Sequence, residues 1–78
     1  AAGLWLADPE VDALEIPGDL RSALQLSAHA HRFFLSSAPS YRRNVLRWIA
    51  RAVRPTTRAS RIRRVVEASA QGLRMPNF

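Results

Sequence analysis

The sequence of 78 residues contains no cysteine and no lysine, and it has only one acidic residue after position 19. Without cysteine, neither disulfides nor a thiolate metal site can hold the chain together, so hydrophobic packing must do so. No apolar run approaches the ~18 residues that a transmembrane helix needs, and the opening lacks the basic start of a signal peptide. We therefore expect one small cytoplasmic domain without a transmembrane segment, stable by about 5 kcal/mol.

Charge is distributed unevenly along the chain. Five of the six acidic residues lie in the first 19 positions, whereas the part from Leu20 onward has 12 arginines against Glu67 alone, a charge of +11. A segment with this charge is attracted to polyanions. A GC-rich genome also replaces lysine by arginine without changing the charge. The arginine content therefore has a compositional explanation as well as a functional one.

Apolar periodicity, together with proline and glycine signals, predicts an all-α fold, a compact bundle of three to four short helices. The helices are expected at about residues 19–27, 28–35, 39–53 and 56–71. Asp19 is the expected N-cap of the first helix, and Gly72 is the expected residue after the C-cap of the last. Three segments are predicted: an extended N-terminal arm or strand at residues 1–16, a helical domain at 17–73 and a loose tail at 74–78.

The third predicted helix has the clearest amphipathic pattern. At 100° per residue, an apolar stripe centred on Trp48 lies opposite a row of arginines. The stripe contains Tyr41, Val45, Trp48, Ile49 and Ala52, and the row contains Arg43, Arg47, Arg51 and Arg54. Leu46 and Val53 widen the stripe at one edge. We expect Trp48 to be a core residue whose replacement by alanine costs about 3–5 kcal/mol.

Arg58 falls on the apolar face of the fourth predicted helix, where an unpaired buried charge costs several kcal/mol. One interpretation is structural: Arg58 stacks on Trp48 or Tyr41, or bonds the last carbonyls of the third helix. The other is a cationic contact for a phosphate or carboxylate. A candidate binding surface combines this residue with others of the same charge, namely Arg43, Arg47, Arg51, Arg58 and Arg61.

No catalytic, metal or cofactor site is predicted. His29 and His31 are two residues apart and so lie on different faces of a helix, whereas a helical zinc pair needs a spacing of four. An enzyme needs a nucleophile or base held by a partner. Glu67 lies among the arginines of its own helix, and the serines at positions 36, 37 and 40 are explained by helix capping. We expect no enzymatic activity.

Three motifs, IPGDLRSAL, PSYRRNVLRWI and ARAVRPTTRASRIRRVVE, occur in this order from Ile16 onward. They resemble the C-terminal helical module of the YdeI/OmpD-associated (OmdA-like, bacteriocin-protection) proteins. The resemblance implies a helical fold, an uncharacterised molecular role and a link to bacteriocin or antimicrobial-peptide tolerance. It also implies that residues 1–16 hold a remnant strand of a preceding β-rich domain. Two positions depart from the pattern: Val53 stands where the family often has lysine, and Ser69 where it often has an apolar residue.

Two functional hypotheses follow. The first is a non-enzymatic interaction module that binds another protein or domain through its helical surface and arm. The second is a basic domain that binds nucleic acid or other anions through its arginines. Such contacts would be mainly to phosphates and strongly salt-dependent, without sequence specificity. The sequence leaves the oligomeric state undetermined.

Overall fold

The structure is a computed structural model that describes residues 14–75. Four helices follow one another along this part of the chain: α1 at Gly18–Gln25, α2 at Ala28–Ser36, α3 at Pro39–Ala50 and α4 at Pro55–Ala70. No strand occurs within residues 14–75. The predicted all-α bundle is therefore confirmed, with four helices.

The start of α1 differs from the prediction. Pro17, not Asp19, is the N-cap, with an extended backbone (ψ 152°) and no side chain that caps the helix. Asp19 lies inside the first turn, where its Oδ1 accepts a hydrogen bond from the Leu20 backbone N–H at 2.9 Å. A carboxylate at this position still interacts favourably with the positive end of the helix.

Helix α1 ends two residues earlier than predicted, so the turn from α1 to α2 is longer than expected. Helix α1 ends at Gln25, and Ser27 is extended (φ −132°, ψ 116°) as the N-cap of α2. Its hydroxyl accepts a hydrogen bond from Ala30 N–H at 3.2 Å. Serine is among the preferred N-caps because its oxygen satisfies an N–H that the helix leaves unpaired.

Helix α3 ends at Ala50, three residues before the predicted Val53. Further along the turn, Pro55 disfavours the helical conformation in the residue before it. Arg54 is accordingly extended, with φ −94° and ψ 142°. Val53, predicted at the edge of the apolar stripe, is 95% exposed in the resulting turn.

Helix α4 ends as predicted, with Gly72 in the left-handed region at φ 71°. The Gly72 N–H donates to the Ser69 carbonyl at 3.0 Å, and the Leu73 N–H donates to the Ala68 carbonyl at 2.8 Å. These two bonds form a Schellman motif, which satisfies carbonyls that the helix end leaves unpaired.

The core lies where α4 packs against the other three helices, most extensively against α2. Phe34 and Tyr41 are its largest fully buried side chains. Ser69 is buried with them, and its Oγ has no hydrogen-bond partner among the described residues. The buried hydrophobic residues are Leu20, Leu24, Ala30, Phe34, Tyr41, Val45, Leu46, Ile49, Ile62 and Val65.

Trp48 does not lie at the centre of this core, so its predicted burial was wrong. Its side chain is half-buried and packs against the core from outside, whereas Leu46, predicted at the edge of the stripe, is buried. A helical wheel gives the direction of a side chain but not the distance to the neighbouring helix in that direction. The fully buried residues of the stripe are Tyr41, Val45 and Ile49 instead.

The segments that flank the helices are only partly described. Residues 1–13, most of the predicted arm, lie outside the described residues, as do residues 76–78. Leu14 has a left-handed backbone (φ 58°), which interrupts any strand there, although Leu14 and Ile16 pack against the core. At the other end of the described residues, the Met75 N–H donates to the Tyr41 hydroxyl at 2.9 Å.

Candidate binding groove

The predicted binding arginines fall into two groups. In the first group, Arg43 and Arg47 lie on α3, where Arg43 is half-buried and Arg47 is exposed. Arg51 follows the last residue of α3 and is exposed. Arg58 and Arg61 are half-buried on α4 and contact other parts of the bundle. The α3 arginines are therefore free to meet solvent, whereas the α4 arginines also have structural partners.

Arg58 is paired with Asp19 in a bidentate ion pair. Its Nε lies 2.6 Å from Asp19 Oδ2 and its Nη2 lies 3.1 Å from Asp19 Oδ1. The hydrogen bonds from Arg58 are the main cause that holds the pKa of the Asp19 carboxyl below its ordinary value. The pair ties the first turn of α4 to the first turn of α1. The sequence interpretation gave Arg58 partners in the third helix and did not include this acid.

Arg61 makes the contact with α3 that was predicted for Arg58. Its Nη1 donates to the Trp48 carbonyl at 2.6 Å, one of the last carbonyls of that helix. Its guanidinium also lies over the Trp48 ring, with Cζ 5.0 Å from the centroid. A cation at a helix C-terminus and over an indole face is favourable on both counts. Arg61 therefore closes the α3–α4 turn.

Arg64 reaches the same indole from the next turn of α4. Its Cζ lies 5.8 Å from the Trp48 ring centroid. Within residues 14–75, neither Arg64 nor Arg61 forms an ion pair with a carboxylate. Two guanidinium groups are thus collected on one aromatic side chain without an acidic partner in the described part of the chain.

Hydroxyl groups border the same place and complete an open groove of about 510 Å³. Thr57 is half-buried, and Thr56 and Ser60 are exposed. We call this feature the Trp48 groove; its lining residues are Trp48, Thr56, Thr57, Ser60, Arg61 and Arg64. Guanidinium and hydroxyl groups are hydrogen-bond donors, so the groove is suited to an oxyanion.

The structure brings no metal-ligating cluster together in its described part: no group of three or more His, Cys, Asp or Glu side chains lies there. His29 is exposed at the start of α2, with its Nε2 beside Gly72, and His31, two residues further, is half-buried. Nor does any helix within residues 14–75 combine the length and apolarity needed to span a bilayer.

Comparison with known proteins identifies the family. The model of the OmdA family, described as bacteriocin-protection, YdeI or OmpD-associated, matches residues 13–72. The chain belongs to this family. No curated protein and no solved structure matches the chain.

In this OmdA-family chain, the residues of the three sequence motifs have visible structural duties. Leu20, Leu24, Tyr41, Ile49 and Ile62 are buried in the core. Two arginines of the third motif contact other helices: Arg58 pairs with Asp19, and Arg61 binds the Trp48 carbonyl. The motifs therefore specify how the helices pack.

Sequence reasoning included Arg61 in a binding surface but missed the other lining residues of the Trp48 groove. A signal for them was present, because polar residues recur along one face of α4 at positions i, i+3, i+4 and i+7. These residues are Thr57, Ser60, Arg61 and Arg64. This spacing does not predict that they lie beside Trp48, because that depends on the angle between α3 and α4.

Proposed function

We propose that this OmdA-family chain is a non-enzymatic interaction module that binds another protein in the cytoplasm, and that it acts in bacteriocin protection through this partner. The observation that carries the proposal is the Trp48 groove. Tryptophan and arginine are the residues most enriched at the energetic centres of protein interfaces. Here a half-buried tryptophan and two arginines line one open groove.

Binding suits the groove better than catalysis does. Its polar groups are guanidiniums and hydroxyls, and among the described residues no carboxylate or imidazole lines it to serve as a general base. A hydroxyl nucleophile needs such a base within hydrogen-bond reach. The side chains that are present hold and orient an anionic or polar group without transferring a proton.

A capture experiment with matched variants tests the proposal. The whole chain is immobilised and exposed to nuclease-treated lysate of the organism that encodes it. We expect one protein to be retained by the wild type and by Arg63→Glu, and lost with Arg64→Glu. Arg63 is the matched control because it is an exposed neighbour on α4 outside the groove. Equal retention by both variants would rule out the groove as the binding site.

The exposed arginines favour a second candidate, nonspecific binding of nucleic acid. Arg47 and Arg51 are exposed beside half-buried Arg43, in a part of the chain with a charge of +11. Binding of this type is dominated by phosphate contacts and weakens steeply with salt. If the chain binds duplex DNA or RNA at low salt, and Arg43→Glu with Arg47→Glu abolishes that binding, the second candidate is the better one. Without such binding it is dropped.

A further inference from the structure

The positive charge and the hydrogen-bond donors of the Trp48 groove indicate which chemical group of a partner it binds. We infer that the groove binds the carboxylates of an acidic protein segment, with Arg64 as the main specificity determinant. This inference rests on the proposed function and adds the chemical class of the bound group.

The first step is the charge of the groove. Two arginines lie over one indole, and within residues 14–75 neither is neutralised by a carboxylate. Holding two like charges close together raises the free energy of the empty site. A bound anion relieves this repulsion, so the groove has a stronger preference for negative ligands than exposed arginines scattered over a surface.

The second step is the type of anion. One turn before Arg61, the same helix already binds a carboxylate: Arg58 holds Asp19 through two hydrogen bonds of 2.6 and 3.1 Å. Planar guanidinium groups match carboxylates in this two-point manner. Arg64 is exposed at the groove and has the same planar guanidinium group. Unlike Arg58, it is not paired with an acid of α1. A carboxylate of the partner therefore binds Arg64 in the way that Asp19 binds Arg58.

The third step excludes readout of nucleic-acid bases. Single-stranded nucleic acids bind proteins by stacking their bases on exposed aromatic faces. The Trp48 ring already carries guanidinium groups at 5.0 and 5.8 Å from its centroid. The indole therefore fixes the two arginines, and the groove offers them and the hydroxyls of Thr57 and Ser60 to a ligand.

Fluorescence titration of the whole chain tests the inference directly. The chain has two tryptophans, so Trp5→Phe leaves Trp48 as the only indole. The probes are a hexaglutamate peptide, a hexaglutamine peptide of the same length, a phosphoserine peptide and a single-stranded oligonucleotide. We expect hexaglutamate to change the Trp48 emission in a saturable, salt-sensitive way and hexaglutamine to have no effect.

The variants locate the site. Arg64→Glu should weaken hexaglutamate binding by about tenfold or more, because it puts a like charge into the groove. Arg63→Glu makes the same change of charge at an exposed neighbouring position outside the groove and should weaken binding by less than about threefold, because solvent and salt screen an exposed charge. Arg64→Lys should restore only part of the affinity, since a lysine lacks the two-point geometry. Circular dichroism verifies that each variant is folded.

Three results of the titration would overturn the inference. Equal weakening by the two glutamate variants would mean that hexaglutamate responds only to net charge. Tighter binding of the phosphoserine peptide would assign the groove to phosphates, and tighter binding of the oligonucleotide would assign it to nucleic acid. The proposed function fails separately, when the lysate yields no protein partner. A partner that is captured but not displaced by hexaglutamate contradicts the inference alone.

Discussion

Arg58 and Asp19, which are 39 residues apart in the sequence, form a bidentate ion pair that joins the first turns of α4 and α1. The same helix α4 uses Arg61 to close its turn with α3. Two arginines one helical turn apart therefore fix the start of α4 to two different helices. Of these contacts, the one made by Arg61 joins α3 and α4 at the Trp48 groove.

The ion pair predicts a specific dependence of stability on pH. Because the pKa of Asp19 is lowered in the folded state, its ionised form stabilises the protein above about pH 4, and this contribution is lost as the pH falls through the folded-state pKa. The Asp19 side chain is 48% exposed, so water screens the pair. We expect Asp19→Asn to lower the free energy of unfolding by about 0.5–1 kcal/mol at neutral pH.

Urea unfolding at neutral pH and at about pH 2 measures this effect, and at the lower pH the variant and the wild type should be equally stable. Glu67→Gln is the control, because Glu67 has no ion pair within residues 14–75. A double-mutant cycle with Arg58→Gln separates the pair from the interaction of Asp19 with its own helix end. A loss of the same size at both pH values would disprove the electrostatic explanation.

Ser69→Ala is expected to stabilise the protein. The Ser69 hydroxyl is buried without a hydrogen-bond partner among the described residues, which costs about 1–3 kcal/mol. Alanine also has a higher helix propensity, so Ser60→Ala, at an exposed site on the same helix, is the matched control. Thermal unfolding should show a gain for Ser69→Ala that exceeds the control by about 1 kcal/mol. A gain no larger than the control would mean that the buried hydroxyl is satisfied.

Gly72 and Gly18 should respond in opposite ways to replacement by alanine. Gly72 has φ 71° and a Cβ added there would meet His29 Nε2 at 3.5 Å, so Gly72→Ala should cost about 1 kcal/mol, mainly through backbone strain. Gly18 begins α1 and has open space around an added Cβ, so Gly18→Ala should be neutral or stabilising. The two urea midpoints test this directly. Equal midpoints would contradict the C-terminal geometry of α4.

Phe34→Ala and Trp48→Ala should differ in cost, because Phe34 is fully buried and Trp48 is half-buried. Phe34→Ala is expected to cost about 3–5 kcal/mol, close to the whole stability of a chain of this size. Trp48→Ala should cost roughly half as much, which revises the value expected from the sequence. Acrylamide quenching in the Trp5→Phe background should show Trp48 partly accessible. If acrylamide does not quench the Trp48 indole, Trp48 is a core residue and the lower cost is wrong.

The sequence was sufficient to predict the four helices because apolar spacing, Pro39, Pro55 and Gly72 act locally. It was not sufficient to predict the depth of Trp48 or the partner of Arg58. Both depend on contacts between residues far apart in the sequence, and a helical wheel contains no information about them. The hydrogen bond from Arg61 to the Trp48 carbonyl was missed for the same reason. Arg58 and Arg61 lie one turn apart, and the packing of α1 decides which of them meets an acid.

The most direct test of the central claim is to map the binding surface by NMR once a partner has been captured. The signals to follow are the Trp48 indole N–H and the Nε–H groups of Arg61 and Arg64. We predict that these shift or broaden first when the partner is added, while the Nε–H groups of Arg43 and Arg47 change little. Perturbations centred on Arg43 and Arg47, with the Trp48 signal unchanged, would contradict the assignment of the Trp48 groove as the interaction site.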